Sequence, residues 1–344
     1  MLFHPDIYQF NDLRKKFPVL DVRSPGEYTK GHIPGAVNLP LFDDRERMII
    51  GTTYQQIGMD SALLQGLDFA GKKLSSYLQQ ALAIVPDRVS LMHCWRGGKR
   101  SESLGGLLSL AGFEIYLLTG GYKAYRKSVR ESFEKDQKII ILAGKTGSGK
   151  TEILQQLKKN NQQIVDLEYI AHHKGSVFGA FGEMPQPTNE QFENDLAEAW
   201  NSLDVENLVW VEDESKAIGG VFLPENLLKK MNEALVIYID VPKKIRIERL
   251  IRDYSTYPKE LITKAILKIS RRLGGQNVKL AISAIDQNDF AKGIEIILNY
   301  YDKVYDYDLS LKPADKLLRL SINTLDANFG AEELLNFSKR LNII

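Results

Sequence analysis

Residues 138–151 read Lys138-Ile139-Ile140-Ile141-Leu142-Ala143-Gly144-Lys145-Thr146-Gly147-Ser148-Gly149-Lys150-Thr151. The apolar run predicts a buried strand, and residues 151–159 continue with helical spacing. Between them the turn fits G-x-x-x-x-G-K-[ST] in the setting that motif requires, after a strand and opening a helix. There, backbone N–H groups from Gly144, Lys145, Thr146, Gly147, Ser148 and Gly149 cradle phosphates, Lys150 reaches a terminal phosphate, and Thr151 is placed to meet Mg²⁺. Downstream, strands are predicted at 163–166, 208–212 and 235–240, the pattern of a parallel sheet. From Pro242 the pattern turns helical through 243–253, 258–273 and 291–307.

Upstream lies a second α/β unit. Strands are predicted at 18–23, 89–93 and 115–118, with a helix over 101–111 that stops at Gly112 and a basic helix over 122–136. The boundary is placed near 132–138, which gives a first domain over 1–134 and a second over 135–344. The length of 344 residues is enough for two domains that each bury a core. One cysteine excludes an intrachain disulfide scaffold. No apolar run approaches the roughly 20 residues that span a bilayer, and the first residues lack the pattern of a secretory signal. The expectation is a cytoplasmic protein without a membrane partner. Forty-five Lys and Arg against forty-four Asp and Glu leave a net charge of +1, so contact with nucleic acid has to come from a local patch.

The single cysteine sits in His93-Cys94-Trp95-Arg96-Gly97-Gly98-Lys99-Arg100-Ser101, between a predicted strand and a predicted helix. Such a turn directs backbone N–H groups into one concavity at the positive end of the helix. Gly97 and Gly98 let it close tightly, and Arg96, Lys99 and Arg100 add positive charge. An oxyanion binds there, and the same field lowers the thiol pKa, which makes Cys94 a candidate thiolate nucleophile. The competing reading is an inert buried cysteine.

That loop, together with Asp21-Val22-Arg23-Ser24-Pro25-Gly26-Glu27-Tyr28 and Gly31-His32-Ile33-Pro34-Gly35-Ala36-Val37-Asn38-Leu39-Pro40, resembles a rhodanese domain. The resemblance implies that Cys94 handles sulfur or selenium, with Trp95 to Arg100 forming the anion loop and Asp21 and Arg23 supporting it. A purely structural ion pair is an equal alternative for Asp21 and Arg23. One departure stands out. Most sulfurtransferase rhodaneses have four residues between the cysteine and the loop arginine, whereas Trp95 to Lys99 makes five. The rhodanese-like cell-cycle phosphatases share the longer spacing, which suits a phosphate-sized anion.

In the second domain the strand Leu208-Val209-Trp210-Val211 ends in Glu212-Asp213-Glu214-Ser215, and Asp213 is the preferred acid on the metal side of the phosphate loop. The strand 235–240 and the helix after it, bearing Arg246, Arg249 and Arg252, resemble the lid region of small P-loop kinases. Arg249 and Arg252 are candidate phosphate clamps, or else part of a solvated basic face. Asp166 and His173 lie past the end of a strand, where open α/β sheets bind ligands. They are candidate substrate contacts, with ordinary surface histidines as the other reading.

With Arg272-Leu273-Gly274-Gly275 and Tyr300-Tyr301-Asp302 added, the whole chain resembles the bacterial tRNA 2-selenouridine synthase family. This implies an α/β architecture: a rhodanese-like parallel-sheet domain followed by a P-loop NTPase-like domain with a helical C-terminal extension. It implies a transferase that replaces the sulfur of wobble 2-thiouridine in tRNA by selenium from selenophosphate. The reaction runs by way of S-geranylation with geranyl diphosphate. Cys94 then either attacks selenium or positions selenophosphate, while Lys150 and Thr151 stabilise the leaving diphosphate. No tightly bound cofactor and no structural metal are expected, and Mg²⁺ is a candidate beside Thr151. A selenophosphate-supplying enzyme is a candidate partner. The basic residues Lys123, Arg126, Lys127 and Arg130, joined by Lys268, Arg271 and Arg272, are candidate tRNA contacts or solubilising helix faces. Three other functions compete. They are an ATP-dependent kinase fused to a rhodanese sulfur carrier, a non-catalytic oxyanion- or redox-sensing nucleotide switch, and a Cys94 phosphatase.

Overall fold

The computed structural model describes residues 1–343. The chain separates into two compact units, Met1–Ser132 with Glu193–Glu198, and Phe133–Phe192 with Ala199–Ile344.

The first unit is built on five parallel strands: β1 (Leu2–Phe3), β2 (Val19–Asp21), β3 (Val37–Asn38), β4 (Val89–His93) and β5 (Glu114–Leu117), in the order β1-β5-β4-β2-β3. Leu20, Leu91, Met92 and Ile115 are buried on these strands, as expected where a parallel sheet is covered on both faces. Three helices between β3 and β4, at Asp44–Gln56, Met59–Gly71 and Leu74–Ile84, were not read from the sequence. The first has a clear start signal: Asp43 accepts from the Glu46 amide at 2.7 Å while the Glu46 carboxylate accepts from the Asp43 amide at 3.0 Å. The helix predicted over 101–111 runs from Lys99 to Leu110, immediately behind the cysteine loop. The basic helix spans Gly121–Ser132 rather than 122–136. The Ser132 hydroxyl donates to the Val129 carbonyl at 2.7 Å and competes with the next helical turn.

The second unit holds five more parallel strands: β6 (Ile139–Ala143), β7 (Gln163–Val165), β8 (Val209–Glu212), β11 (Leu235–Asp240) and β12 (Leu317–Ser321), in the order β12-β11-β6-β8-β7. A small antiparallel hairpin, β9 (Ala217–Ile218) and β10 (Val221–Phe222), turns at Gly219 and Gly220. The phosphate loop leaves the central strand β6, flanked by β8 and β11. Ile140, Leu142, Trp210, Ile237 and Ile239 form the core beneath it. The helical extension is a separate cluster around Ile262, Ile266, Ala281, Ile285 and Ile297. The helix predicted over 258–273 is two helices, Lys259–Lys268 and Ser270–Leu273. They break at Ile269 (φ −100°, ψ 10°), whose side chain is buried.

Candidate functional site

Cys94 ends β4 and is buried. The Gly98 amide donates to its sulfur at 3.3 Å and the Ser101 hydroxyl at 3.2 Å. Burial pushes the thiol pKa up, yet the hydrogen bonds from Ser101 and Gly98 and the charge of Arg100 outweigh it, so Cys94 lies below the usual thiol value. Two helix starts hold the loop. The Lys99–Leu110 helix begins directly after Gly98, and amides of the Gly121–Ser132 helix donate to the carbonyls of Cys94 (from Tyr122, 2.8 Å) and Trp95 (from Lys123, 2.9 Å). Gly97 (φ 67°) passes so close to this second segment that a Cβ would sit 2.6 Å from the Leu118 carbonyl oxygen. Trp95, Arg96 and Lys99 are exposed around the opening.

Asp21 and Arg23 lie under the loop as a fully buried pair. Arg23 Nη2 meets Asp21 Oδ2 at 2.6 Å and the Gly31 carbonyl at 2.7 Å. The guanidinium also stacks 3.7 Å from the centre of the Tyr122 ring, whose own amide holds the Cys94 carbonyl. Burial opposes the ionisation of Asp21, but His93 and Arg23 keep its pKa below the usual value. The pair contacts Tyr122 and His93 rather than the opening. Arg100 is not free either: it pairs with Glu27 at 2.5 Å while still biasing the Cys94 thiol.

In the second unit, Gly147 (φ 79°) and Gly149 (φ 84°) adopt the left-handed conformations the phosphate loop requires. Lys150 Nζ donates to the Gly144 carbonyl at 2.9 Å, folded back over the loop. The loop opens into a cleft of about 690 Å³ lined by Lys150, Glu168, Lys174, Glu214, Tyr305 and Lys312, among others. Leu228, Val236 and Leu311 add an apolar wall.

The acid beside Thr151 is not Asp213. Asp213 is held by Lys312 at 2.6 Å and by the Tyr305 hydroxyl at 2.9 Å; Tyr305 in turn accepts from the Gly144 amide at 2.7 Å. Thr151 Oγ1 instead donates to Glu168 Oε2 at 2.8 Å, and the Glu168 amide donates to Glu212 Oε1 at 2.7 Å. Asp213, the acid preferred from sequence among Glu212, Asp213 and Glu214, lines the same cleft, where Lys312 and Tyr305 hold its carboxylate. Burial and mutual repulsion raise the pKa of Glu168, push Glu212 well above the usual carboxylate value and bring Glu214 up to about 8. Glu212 Oε2 is buried without a hydrogen-bond partner among the described residues. A hard divalent cation fits this set of oxygen donors. Among the described residues no three His, Cys, Asp or Glu side chains could hold a metal alone, so phosphate oxygens would have to complete the shell.

The comparisons with known proteins match these two loops. A family model described as the tRNA 2-selenouridine synthase AAA domain matches residues 137–332, and a rhodanese-like domain model matches residues 7–128. A tRNA 2-selenouridine synthase of Nitrosomonas europaea is 38% identical over 263 residues, which cover 73% of this chain and 68% of the relative. Another, from Sulfurovum sp., is 34% identical over 348 residues and covers 90% of this chain and 93% of the relative. The chain belongs to the tRNA 2-selenouridine synthase family. The α/β reading, a rhodanese domain followed by a P-loop domain, holds with it. No helix among the described residues is long and apolar enough to cross a membrane.

In the second unit, Asp166, His173, Arg249 and Arg252 do not line the cleft. Asp166 caps the Leu167–Ala171 helix by accepting from the Tyr169 amide at 2.9 Å, and it also accepts from Gln155 at 2.5 Å. His173 is half-buried and does not line the cleft, whereas its neighbours Lys174, Gly175 and Ser176 do. Arg249 is buried against the outer side of the phosphate loop. It donates to the Gly147 carbonyl at 2.9 Å and packs over Gly149, where a Cβ would lie 2.7 Å from its Nη atoms. Arg246 braces the same loop through the Thr146 carbonyl and a two-point pair with Asp302, both bonds at 2.8 Å. Arg252 is engaged by Glu152 and Asp253. Arg249 therefore shapes the loop, and the clamp expected of Arg249 and Arg252 is absent from this conformation. Of the basic residues, Lys123, Lys127, Arg130, Lys268, Arg271 and Arg272 are exposed, while Arg126 is bound to Glu193 and Asn194.

Sequence reasoning placed Ser101 in the cysteine loop and Glu168 in a substrate-facing segment without a specific role for either, and gave none to Tyr305. Ser101 follows Arg100 directly and Glu168 stands two residues after Asp166, so each has a local sequence signal. Tyr305 comes from a helix 161 residues beyond Gly144 and carries no local signal.

Proposed function

We propose that this chain exchanges the sulfur of a wobble 2-thiouridine in tRNA for selenium, in two steps served by two loops. The observation that carries the reading is Cys94 Sγ receiving an amide and a hydroxyl in an anion-binding turn, within a chain that also carries a complete phosphate loop.

In the first step the diphosphate of geranyl diphosphate rests on the phosphate loop and Lys150. The uridine sulfur attacks the first carbon of the geranyl group, the carbon–oxygen bond breaks, its electron pair leaves with diphosphate, and the uridine N3 proton goes to water. The loop amides and Lys150 stabilise the charge that builds on the leaving group. Thr151 and Glu168 would hold Mg²⁺, which supplies further charge neutralisation when bound. Alkylation turns a poor leaving group into a thioether sulfur that can depart.

In the second step selenophosphate occupies the Cys94 loop. Its selenium adds to C2 of the base, the C2–S pair leaves as geranyl thiolate, and water protonates it to the thiol. The selenium–phosphorus bond then breaks with its pair staying on selenium. The phosphoryl group passes to the Cys94 thiolate and from there to water, giving phosphate. Direct attack of Sγ on selenium would instead leave that pair on phosphorus and give phosphite. Five residues between Cys94 and Arg100 suit the phosphate-sized group this order requires.

Mass spectrometry of tRNA nucleosides from a selenium-fed strain lacking this protein tests the proposal. Loss of 2-selenouridine is expected; an unchanged level would reject it.

A further inference from the structure

The first unit carries a second cavity that the two loops leave unexplained. It measures about 350 Å³, within the range of small-ligand sites (about 300–1,000 Å³). Its walls come from the helices Asp44–Gln56 and Met59–Gly71 and the segment before them, including Leu41, Phe42, Ile50, Leu63, Leu67 and Ala70. The same helix pair exposes Tyr54 (60%), Met59 (63%), Leu64 (65%) and Leu67 (58%), an uncommon density of large apolar groups for one surface. Gly66 keeps the floor open, since a Cβ there would stand 3.3 Å from the Phe42 ring.

What this groove adjoins identifies its occupant. Its lining also includes Lys99, Arg100 and Ser103, on the first turns of the helix that starts behind the Cys94 loop. Arg100 is thus shared between the groove and the thiol it biases. An apolar trough that runs into a cationic, anion-binding loop fits a ligand with an apolar chain attached beside an anionic reacting centre. An inorganic anion or an unmodified nucleotide would leave the trough empty.

We infer that the groove between these helices binds the alkyl chain of the S-geranylated uridine while the selenium step takes place at the Cys94 loop. This rests on the geranylated intermediate proposed above and adds a site for it. The chain anchors the base with C2 toward selenophosphate, and when the C2–S bond breaks the groove holds the departing geranylthiol. Alkylation then serves recognition as well as leaving-group chemistry, since an unalkylated 2-thiouridine has nothing to place in the groove.

The test uses the full-length protein, selenophosphate, and anticodon-loop oligonucleotides bearing either S-geranyl- or S-methyl-2-thiouridine. Leu63 and Leu67 are exposed, so Leu63→Gln/Leu67→Gln is expected to fold normally. The expected result is a wild-type preference for the S-geranyl substrate. The double variant should lose roughly tenfold in kcat/KM on that substrate, mostly through KM, with no change on the S-methyl one. Equal loss on both substrates, or no loss on either, would overturn the groove assignment. So would a wild-type dimer at micromolar concentration that the variant dissolves, because a second copy would then be the occupant. Failure of the wild-type protein to convert the S-geranyl oligonucleotide at all would instead overturn the underlying two-step reading, and the groove's occupant with it.

Discussion

Replacing Ser101 by alanine removes the hydroxyl that donates to Cys94 Sγ at 3.2 Å, and its consequence can be sized. A hydrogen bond to a charged group contributes about 1.5–3 kcal/mol. One pKa unit corresponds to about 1.4 kcal/mol, so losing this bond to the thiolate should raise the Cys94 pKa by about 1–2 units. The Gly98 amide and Arg100 remain, so the shift stops there rather than returning the thiol to its full desolvated value. At any pH below both pKa values the thiolate fraction should fall about ten- to hundredfold. The assay is clean because the chain has one cysteine: the pH dependence of iodoacetamide alkylation, followed by intact mass, reports Cys94 alone. The 2-selenouridine-forming rate should move to higher pH by the same amount. Ser101 is fully buried and its hydroxyl also lies 3.0 Å from the Gly98 carbonyl, so thermal melts run alongside should show a loss of about 1–3 kcal/mol with the native fold retained. An alkylation profile that does not move would refute the account of how this thiol is activated.

Three further outcomes follow from other contacts. Glu214, with its pKa near 8 in the folded protein against 4.5 unperturbed, keeps its proton across a window in which the unfolded chain has lost it. Stability should therefore fall as pH rises from about 4.5 to 8 and level off above; Glu214→Gln should flatten that slope and raise stability at pH 8.5 by ~1–2 kcal/mol in thermal melts, less than the full shift because Glu168 and Glu212 share the same field. Arg246→Ala strands Asp302 and releases the Thr146 carbonyl, so it should cost about 3 kcal/mol in urea unfolding and weaken diphosphate binding together. Changing Lys123, Lys127 and Arg130 to alanine should weaken tRNA binding and lower the slope of log K against log salt by up to about 3; an unchanged slope would assign these residues to solubility.

Both anion-binding loops are legible in the sequence because each is a local object: a strand, a tight turn and a helix start, written in consecutive residues. Cys94 to Arg100 and Gly144 to Thr151 needed no long-range information. The partners that tune them did. Arg100 finds Glu27, Gly144 finds Tyr305, and Asp213 finds Lys312, across 73, 161 and 99 residues respectively. Arginines on the Lys243–Tyr254 helix carried the right charge for phosphate and the wrong direction, because Arg246 and Arg249 are satisfied by loop carbonyls and Asp302. The apolar helix pair at 44–71 lacks the clean one-sided pattern of a core helix, since its leucines and methionines face outward. That same irregularity is what the groove assignment explains.

The central claim is a division of labour between the loops, and one reaction tests it. Purified Cys94→Ser and Lys150→Ala proteins are incubated with a 2-thiouridine anticodon-loop RNA, geranyl diphosphate and selenophosphate, and the nucleosides are resolved by mass. Cys94→Ser should accumulate the S-geranyl or selenium-phosphorylated nucleoside and no 2-selenouridine, while Lys150→Ala should leave 2-thiouridine largely unreacted. Normal 2-selenouridine from the Cys94→Ser protein would contradict the account.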